Sequence, residues 1–127
     1  MIYGIGIDII EIDRIKSEIQ KNGKFNRRVF TDQEIKYCER GANLNIQAQF
    51  YAGRFTAKEA FLKAIGTGLR GGLAWTDIQV TNDALGKPSL ILANKALELI
   101  NKAKISNIQL SISHSQNYAT AIVVLEK

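Results

Sequence analysis

Cysteine, proline and histidine are almost missing from this 127-residue sequence: it has one of each, Cys38, Pro88 and His114. A lone thiol forms no internal disulfide, and with a single imidazole it cannot supply the ligand set of a structural zinc site. One proline leaves no room for a proline-rich linker, and no low-complexity tract or fixed-period repeat breaks the chain. No apolar run approaches the roughly 20 residues needed to cross a bilayer. The opening MIYGIGIDII lacks the positive start and small-residue cleavage site of a secretion signal. These absences predict a cytoplasmic protein with no membrane partner. With 46% hydrophobic residues, the length suits one domain, 1–127, around one core.

Charge is present in excess of one sign, with 17 Lys and Arg against 12 Asp and Glu. The stretch 14–28 carries Arg14, Lys16, Lys21, Lys24, Arg27 and Arg28 but only Glu18 as an acid. Such a local field favours an anionic partner and speeds encounter with it. Nucleic acid, an acidic protein and a phosphorylated ligand all satisfy that feature, as does a plain solvated helix face. Against a nucleic-acid-binding domain, aromatics are not interleaved with these cations, and no helix-turn-helix or RNA-binding sheet signature is found.

Periodicity gives the elements. Tyr3, Ile5, Ile7 and Ile9 alternate with Gly4, Gly6 and Asp8, which predicts a strand over 2–9 with space above its glycine face. Ile12, Ile15 and Ile19 recur at helical spacing, and Gly23 is placed to end that helix. Thr31 to Glu34 has the capping-box pattern, so a helix starts near Asp32. A loop over 40–45 precedes a long helix over about 46–65, stopped by Gly66-Thr-Gly68; a loop over 69–73 follows. Short strands over 78–80 and 89–92 flank a turn, a helix covers 93–103, and strands from Ile108 to Ile112 and Tyr118 to Leu125 close the chain. Helices early and hairpin-like strands late predict an α+β fold with a mainly antiparallel sheet.

The densest chemistry lies in Arg54-Phe-Thr-Ala-Lys-Glu-Ala-Phe-Leu-Lys63. At 100° per residue, Ala57, Ala60, Phe61 and Ala64 share one core-facing arc. Glu59 and Lys63 lie opposite, flanked by Phe55 and Leu62, which predicts a second buried surface against a ligand or another subunit. Taken alone, Glu59 and Lys63 are also an ordinary i,i+4 pair worth about 0.3 kcal/mol. Arg54, Lys58 and Lys63 beside the Gly-Thr-Gly helix end suggest a cradle for an anion. Asp8 ends an apolar strand and needs a cation or donors as partners. It either offsets the positive end of the next helix or joins Glu59 in holding a hard divalent ion. Two carboxylates without a Cys or His cluster suit magnesium, which takes one or two protein carboxylates with phosphates and water. Alternation puts His114 on the side of Ile108, Leu110 and Ile112, as a core histidine; the functional alternative is a phosphate contact or proton-transfer group. No acid is spaced to make Ser113 or Ser115 a triad nucleophile.

Taken in order, several blocks resemble the bacterial holo-acyl-carrier-protein synthase family, the small trimeric branch of the 4′-phosphopantetheinyl transferases. They are Gly4-Ile-Gly-Ile-Asp-Ile-Ile-Glu-Ile-Asp-Arg14, Phe30-Thr-Asp-Gln-Glu34, Arg54-Phe-Thr-Ala-Lys-Glu-Ala-Phe61, Lys63-Ala-Ile-Gly-Thr-Gly68, Trp75-Thr-Asp-Ile78, Gly86-Lys-Pro88 and Ser111-Ile-Ser-His114. Thr56 departs from the usual alanine, and 41–49 holds fewer basic residues than the family pattern. The resemblance implies a trimer with active sites at subunit interfaces and transfer of phosphopantetheine from coenzyme A to a serine of an acidic acyl carrier protein, in fatty acid biosynthesis. It implies that Asp8 and Glu59 ligate magnesium and that Lys63 neutralises the pyrophosphate and assists departure of 3′,5′-ADP. Arg54, Gly66, Thr67 and His114 match coenzyme-binding positions, His114 reaching from a neighbouring subunit. Arg14, Lys21, Lys24 and Arg28 fall on the carrier-binding segment. Glu59, Asp8 and a water all stand as candidates for the general base.

Overall fold

A 22-residue helix, α4 (Leu44–Ile65), runs through the middle of the protein and is buried on almost every side. The structure, a computed structural model, describes all 127 residues. In chain order the elements before α4 are β1 (Ile2–Glu11), α1 (Ile12–Ile19), α2 (Lys24–Val29) and α3 (Asp32–Cys38). After it come a 3₁₀ turn (Trp75–Asp77), β2 (Ile78–Asn82), β3 (Pro88–Leu92), α5 (Asn94–Lys102), β4 (Asn107–His114) and β5 (Tyr118–Glu126). Every strand pairing is antiparallel: β1-β5-β4 form one sheet and β2-β3 a separate hairpin. This is the expected α+β architecture.

Local chemistry explains the boundaries. Asn43 Oδ1 accepts from the Ile46 N–H at 3.0 Å and starts α4 two residues earlier than predicted. Gly66, at φ 83°, ends it in the left-handed conformation, donating its N–H to the Leu62 carbonyl. The capping box is formed: Thr31 Oγ1 accepts from Glu34 N, and Glu34 Oε1 accepts from Thr31 N. Gly23 does more than end α1, since at φ 77° it turns the chain into α2, a helix the periodicity did not reveal because it is only six residues long.

The faces of β1 are reversed from the usual reading of an alternating strand. Its glycine side carries the helix: a methyl on Gly6 would overlap the Ala60 carbonyl oxygen, and one on Gly4 the Ala64 carbonyl oxygen. The space predicted above the glycines is therefore filled by α4 backbone. The isoleucine side is bare, with Ile5, Ile7 and Ile9 56%, 62% and 65% exposed.

Two apolar clusters meet along α4. One gathers Ala57, Phe61, Ile78, Ile100, Val123 and Leu125 between helix, sheet and hairpin. The other gathers Ile12, Ile15, Val29, Phe30, Tyr51 and Ala119 beneath the short helices. Phe55 and Leu62, expected to meet a ligand or another subunit, pack against the chain's own residues while each still borders an opening. Phe55 stacks between Phe25 and Trp75, and Leu62 belongs to the first cluster. Cys38 is also buried, which pushes its thiol up to about 12 and keeps it protonated and inert.

An ion pair with no solvent exposure ties the two halves together. Lys58 Nζ lies 2.7 Å from Glu34 Oε1 and also donates to the Val29 and Trp75 carbonyls, using its donors within the protein. Glu34 Oε2 accepts from the Val80 N–H, so this carboxylate joins α3, α4 and β2. Burial lowers the Lys58 pKa while Glu34 opposes the change. Removing one member strands the other charge, which costs about 3–5 kcal/mol. Lys58→Ala is therefore expected to lose about 3–5 kcal/mol of unfolding free energy in urea titrations. Lys63→Ala, whose side chain is 54% exposed, should lose less than about 1 kcal/mol.

Candidate active site

Contact between β1 and α4 creates the site. Residues 56, 59 and 63 recur at i, i+3 and i+7, so Thr56, Glu59 and Lys63 line one helix face. Asp8 reaches that face from β1. Its Oδ2 accepts from Thr56 Oγ1 at 2.7 Å, and its Oδ1 accepts from Lys63 Nζ at 3.2 Å. Lys63 also donates to the Ile7 carbonyl at 3.1 Å, and Thr120 on β5 donates to the Asp8 carbonyl at 2.7 Å. Asp8 thus has the cation and donors that a half-buried carboxylate requires.

Glu59 lies between Thr56 and Lys63 in the same electrostatic field. Burial raises its pKa first and the negative charge of Asp8 raises it further, while Lys63 and Arg14 pull it down. The two carboxylates are close enough to repel each other, a tension that a bound cation would relieve. Beyond them opens a cleft of about 370 Å³, lined by Glu59, Leu62, Lys63, Gly66, Gly68, Leu69 and Trp75. Thr67 adjoins it, its hydroxyl donating to the Gly68 carbonyl. No third His, Cys, Asp or Glu joins the carboxylate pair. Two hard oxygen donors with room for phosphate and water fit magnesium, and Asp8 and Glu59 are the residues that would hold it.

Three expectations change here. Lys58 is not part of an anion cradle, because its charge is consumed by Glu34 in the interior. Arg54 is on another side of α4, stacked 3.9 Å from the centre of the Tyr37 ring and bonded to Asn82 Oδ1 at 2.6 Å. It borders a separate pocket with Lys36 and Arg40, and its buried Nε has no acceptor. His114 is exposed, not a core histidine: it keeps the parity of Ile108, Leu110 and Ile112 but lies past the edge of the core, paired with Ala119 two strands from β1. The structure thus joins Asp8, Glu59, Lys63, Gly66 and Thr67, and leaves Arg54 and His114 apart from them.

The basic segment divides as well. Arg14 and Arg28 border a groove floored by Phe25, Phe55 and Trp75, next to Ile15 and Glu18. Lys21 pairs with Glu18 at 3.0 Å, and Lys24 is exposed at the start of α2. Thr56 was missed as a site residue, although it already stood out as the departure from alanine in its motif. The groove's aromatic floor was missed because Phe25, Phe55 and Trp75 come from three separate elements.

The carboxylate–lysine cluster at a glycine-ended helix places the protein in a known class. Residues 4–123 match the family model of the 4′-phosphopantetheinyl transferase superfamily, and the chain belongs to that family. Within it, the chain is 52% identical over 126 residues to a holo-[acyl-carrier-protein] synthase of Clostridium tetani, covering 99% of this chain and 97% of that one. It is 48% identical to the one of Geotalea daltonii over the full length of both. Among solved structures, a holo-(acyl-carrier-protein) synthase of Bacillus anthracis in complex with CoA (3′,5′-ADP) has 43% identity and a TM-score of 0.82, with 99% and 97% of the two chains covered. The Helicobacter pylori enzyme in complex with coenzyme A has 31% identity and a TM-score of 0.82, covering 96% and 99%.

The pKa of Glu59 makes a signed prediction. A carboxyl whose native pKa is raised costs nothing below its unfolded value, and its destabilising effect grows as pH rises to the native value. In chelator, Glu59→Gln should therefore have a higher Tm than the parent at pH 7, with the gain fading in acid. Added magnesium should raise the Tm of the parent and leave Glu59→Gln unmoved, as thermal melts would read.

Proposed function

We propose that this protein transfers the 4′-phosphopantetheine group of coenzyme A to a serine of an apo acyl carrier protein, yielding holo-carrier and 3′,5′-ADP, for fatty acid biosynthesis in the cytoplasm. The observation that carries the reading is the Asp8–Lys63 contact, with Glu59 beside it, at the mouth of a cleft made by a glycine helix end. The pyrophosphate of coenzyme A lies at this mouth, where the Lys63 ammonium offsets its charge. Asp8 and Glu59 would hold magnesium, which would withdraw charge from the reacting phosphate. Thr56 holds the Asp8 carboxylate in place, and Thr120 anchors its backbone carbonyl. The serine oxygen forms the new bond to phosphorus as the pyrophosphate bond to 3′,5′-ADP breaks. Glu59, on the wall of the cleft, takes the serine proton, and Lys63 balances the charge left on the departing phosphate.

The coenzyme site is completed by a second copy of the chain in a homotrimer. Support comes from the split of the candidate residues: Arg54 and His114 fit a ligand bound at a neighbour's Asp8 and Glu59. The unpaired Arg54 Nε, with Lys36 and Arg40 nearby, suits a phosphate of that ligand. The bare row Ile5, Ile7 and Ile9, continued by Ile122 on β5, supplies an apolar face for the association. Arg14 and Arg28, with Lys21 and Lys24, receive the acidic carrier, while Phe25 and Phe55 give its docking an apolar floor.

Incubation with apo-carrier, coenzyme A and magnesium should add the mass of one phosphopantetheine group to the carrier, with no gain in chelator or with Glu59→Ala. No gain with several carriers would reject the reading. Arg14→Glu with Arg28→Glu should raise KM for the carrier about tenfold or more, with little change in KM for coenzyme A, and added salt should weaken the parent in the same direction. Analytical ultracentrifugation should find three chains per particle, and Ile7→Asp should shift the population to monomer and lower activity with it.

A further inference from the structure

Trp75 is the one residue that lines both the cleft of Glu59, Lys63 and Gly66 and the groove of Arg14, Phe25 and Arg28. Its backbone is held on both sides. Its own carbonyl accepts from the buried Lys58 at 3.2 Å. Asp77, two residues on, is buried: its Oδ2 accepts from the Ala74 N–H at 3.0 Å and its Oδ1 accepts from Asn94 Nδ2 at 3.1 Å. The Asp77 carbonyl also accepts from the Ala93 N–H at 2.9 Å, which anchors the turn to the start of α5. The indole lies on Phe55 with ring centres 5.2 Å apart, and Phe55 in turn meets Phe25 at 5.9 Å. A large half-buried side chain on so firmly held a turn, bordering both openings, is a fixed partition between them.

We propose that Trp75 is a common wall between the two substrate sites, contacting the coenzyme on one side and the carrier on the other, and so setting the path by which the serine hydroxyl reaches the phosphorus. This rests on the coenzyme and carrier assignments made above. A rigid aromatic serves such a wall well: it presents a wide apolar surface, loses little rotamer freedom on binding, and excludes water from the junction. It is a positioning residue, since no atom of the ring exchanges protons or bonds in the transfer.

The sequence contains a single tryptophan, so intrinsic emission reports on this wall alone. Titration of the intact protein with coenzyme A and magnesium, and separately with apo-carrier, should each shift Trp75 emission and reduce its quenching by acrylamide. Binding measured in parallel by calorimetry shows whether each site is filled. Emission and quenching that stay unchanged with either site filled would overturn the proposal, even if transfer proceeds normally. Trp75→Ala should raise KM for both substrates about tenfold or more, the usual cost of removing an aromatic anchor from a binding surface. Trp75→Phe, which keeps the stack on Phe55, should recover most of that loss. A rise in KM for one substrate alone would assign Trp75 to that site and reject the shared wall. Mass analysis of the carrier separates the two ideas: transfer without a tryptophan response leaves the function standing and removes the wall, and binding of both ligands with a response but no transfer does the reverse.

Discussion

Helix α4 rests on β1 at backbone distance, and the candidate site exists because of that closeness. Gly4 and Gly6 leave no side chain between the strand and the Ala64 and Ala60 carbonyls. A Cβ at either position would push the helix off the sheet, and Asp8 would then lose Thr56 and Lys63. The glycines are thus tied to function through distance, without touching any substrate. Interiors pack too densely to absorb such a displacement locally, so the carboxylate pair depends on two missing methyl groups.

The opposite side of α4 is secured by electrostatics. Lys58 and Glu59 are neighbours in sequence and point into different environments, one into the interior and one toward a cleft. Lys58 gathers Glu34, Val29 and Trp75, and through them α2, α3 and the 3₁₀ turn. A buried ion pair contributes less to net stability than its geometry suggests, because both charges are desolvated. Its value here is positional: the same lysine that holds α4 against α3 also holds the turn that presents Trp75. Site geometry on both sides of the helix is therefore built from interactions outside the site.

Much of the fold could be read from the chain. The capping box at Thr31, the glycine stop at Gly66 and the alternation of β4 and β5 are local signals, and each led to the right element. Other signals misled because they depend on what lies across space. An alternating strand normally buries its isoleucines, yet β1 buries its glycines, since a helix at backbone distance outcompetes side-chain packing there. Phe55 and Leu62 predicted a surface for a partner, and each does border an opening, but Phe25 and Trp75 from segments far away in sequence also pack on Phe55. His114 kept the parity of a core strand, but the core ends before the strand does.

By itself the sequence determined the element types, the α+β class, and the chemistry available: two carboxylates, a lysine and a glycine stop, with a basic segment upstream. Spacing along one helix was enough to put Thr56, Glu59 and Lys63 on a common face, because helical geometry is local. Only the tertiary structure decided that Asp8 meets that face, that Lys58 turns inward, and that Arg54 belongs to another pocket. Those outcomes rest on which surfaces approach each other, and approach is set by packing volume and charge burial summed over the whole chain, quantities that no window of neighbouring residues contains.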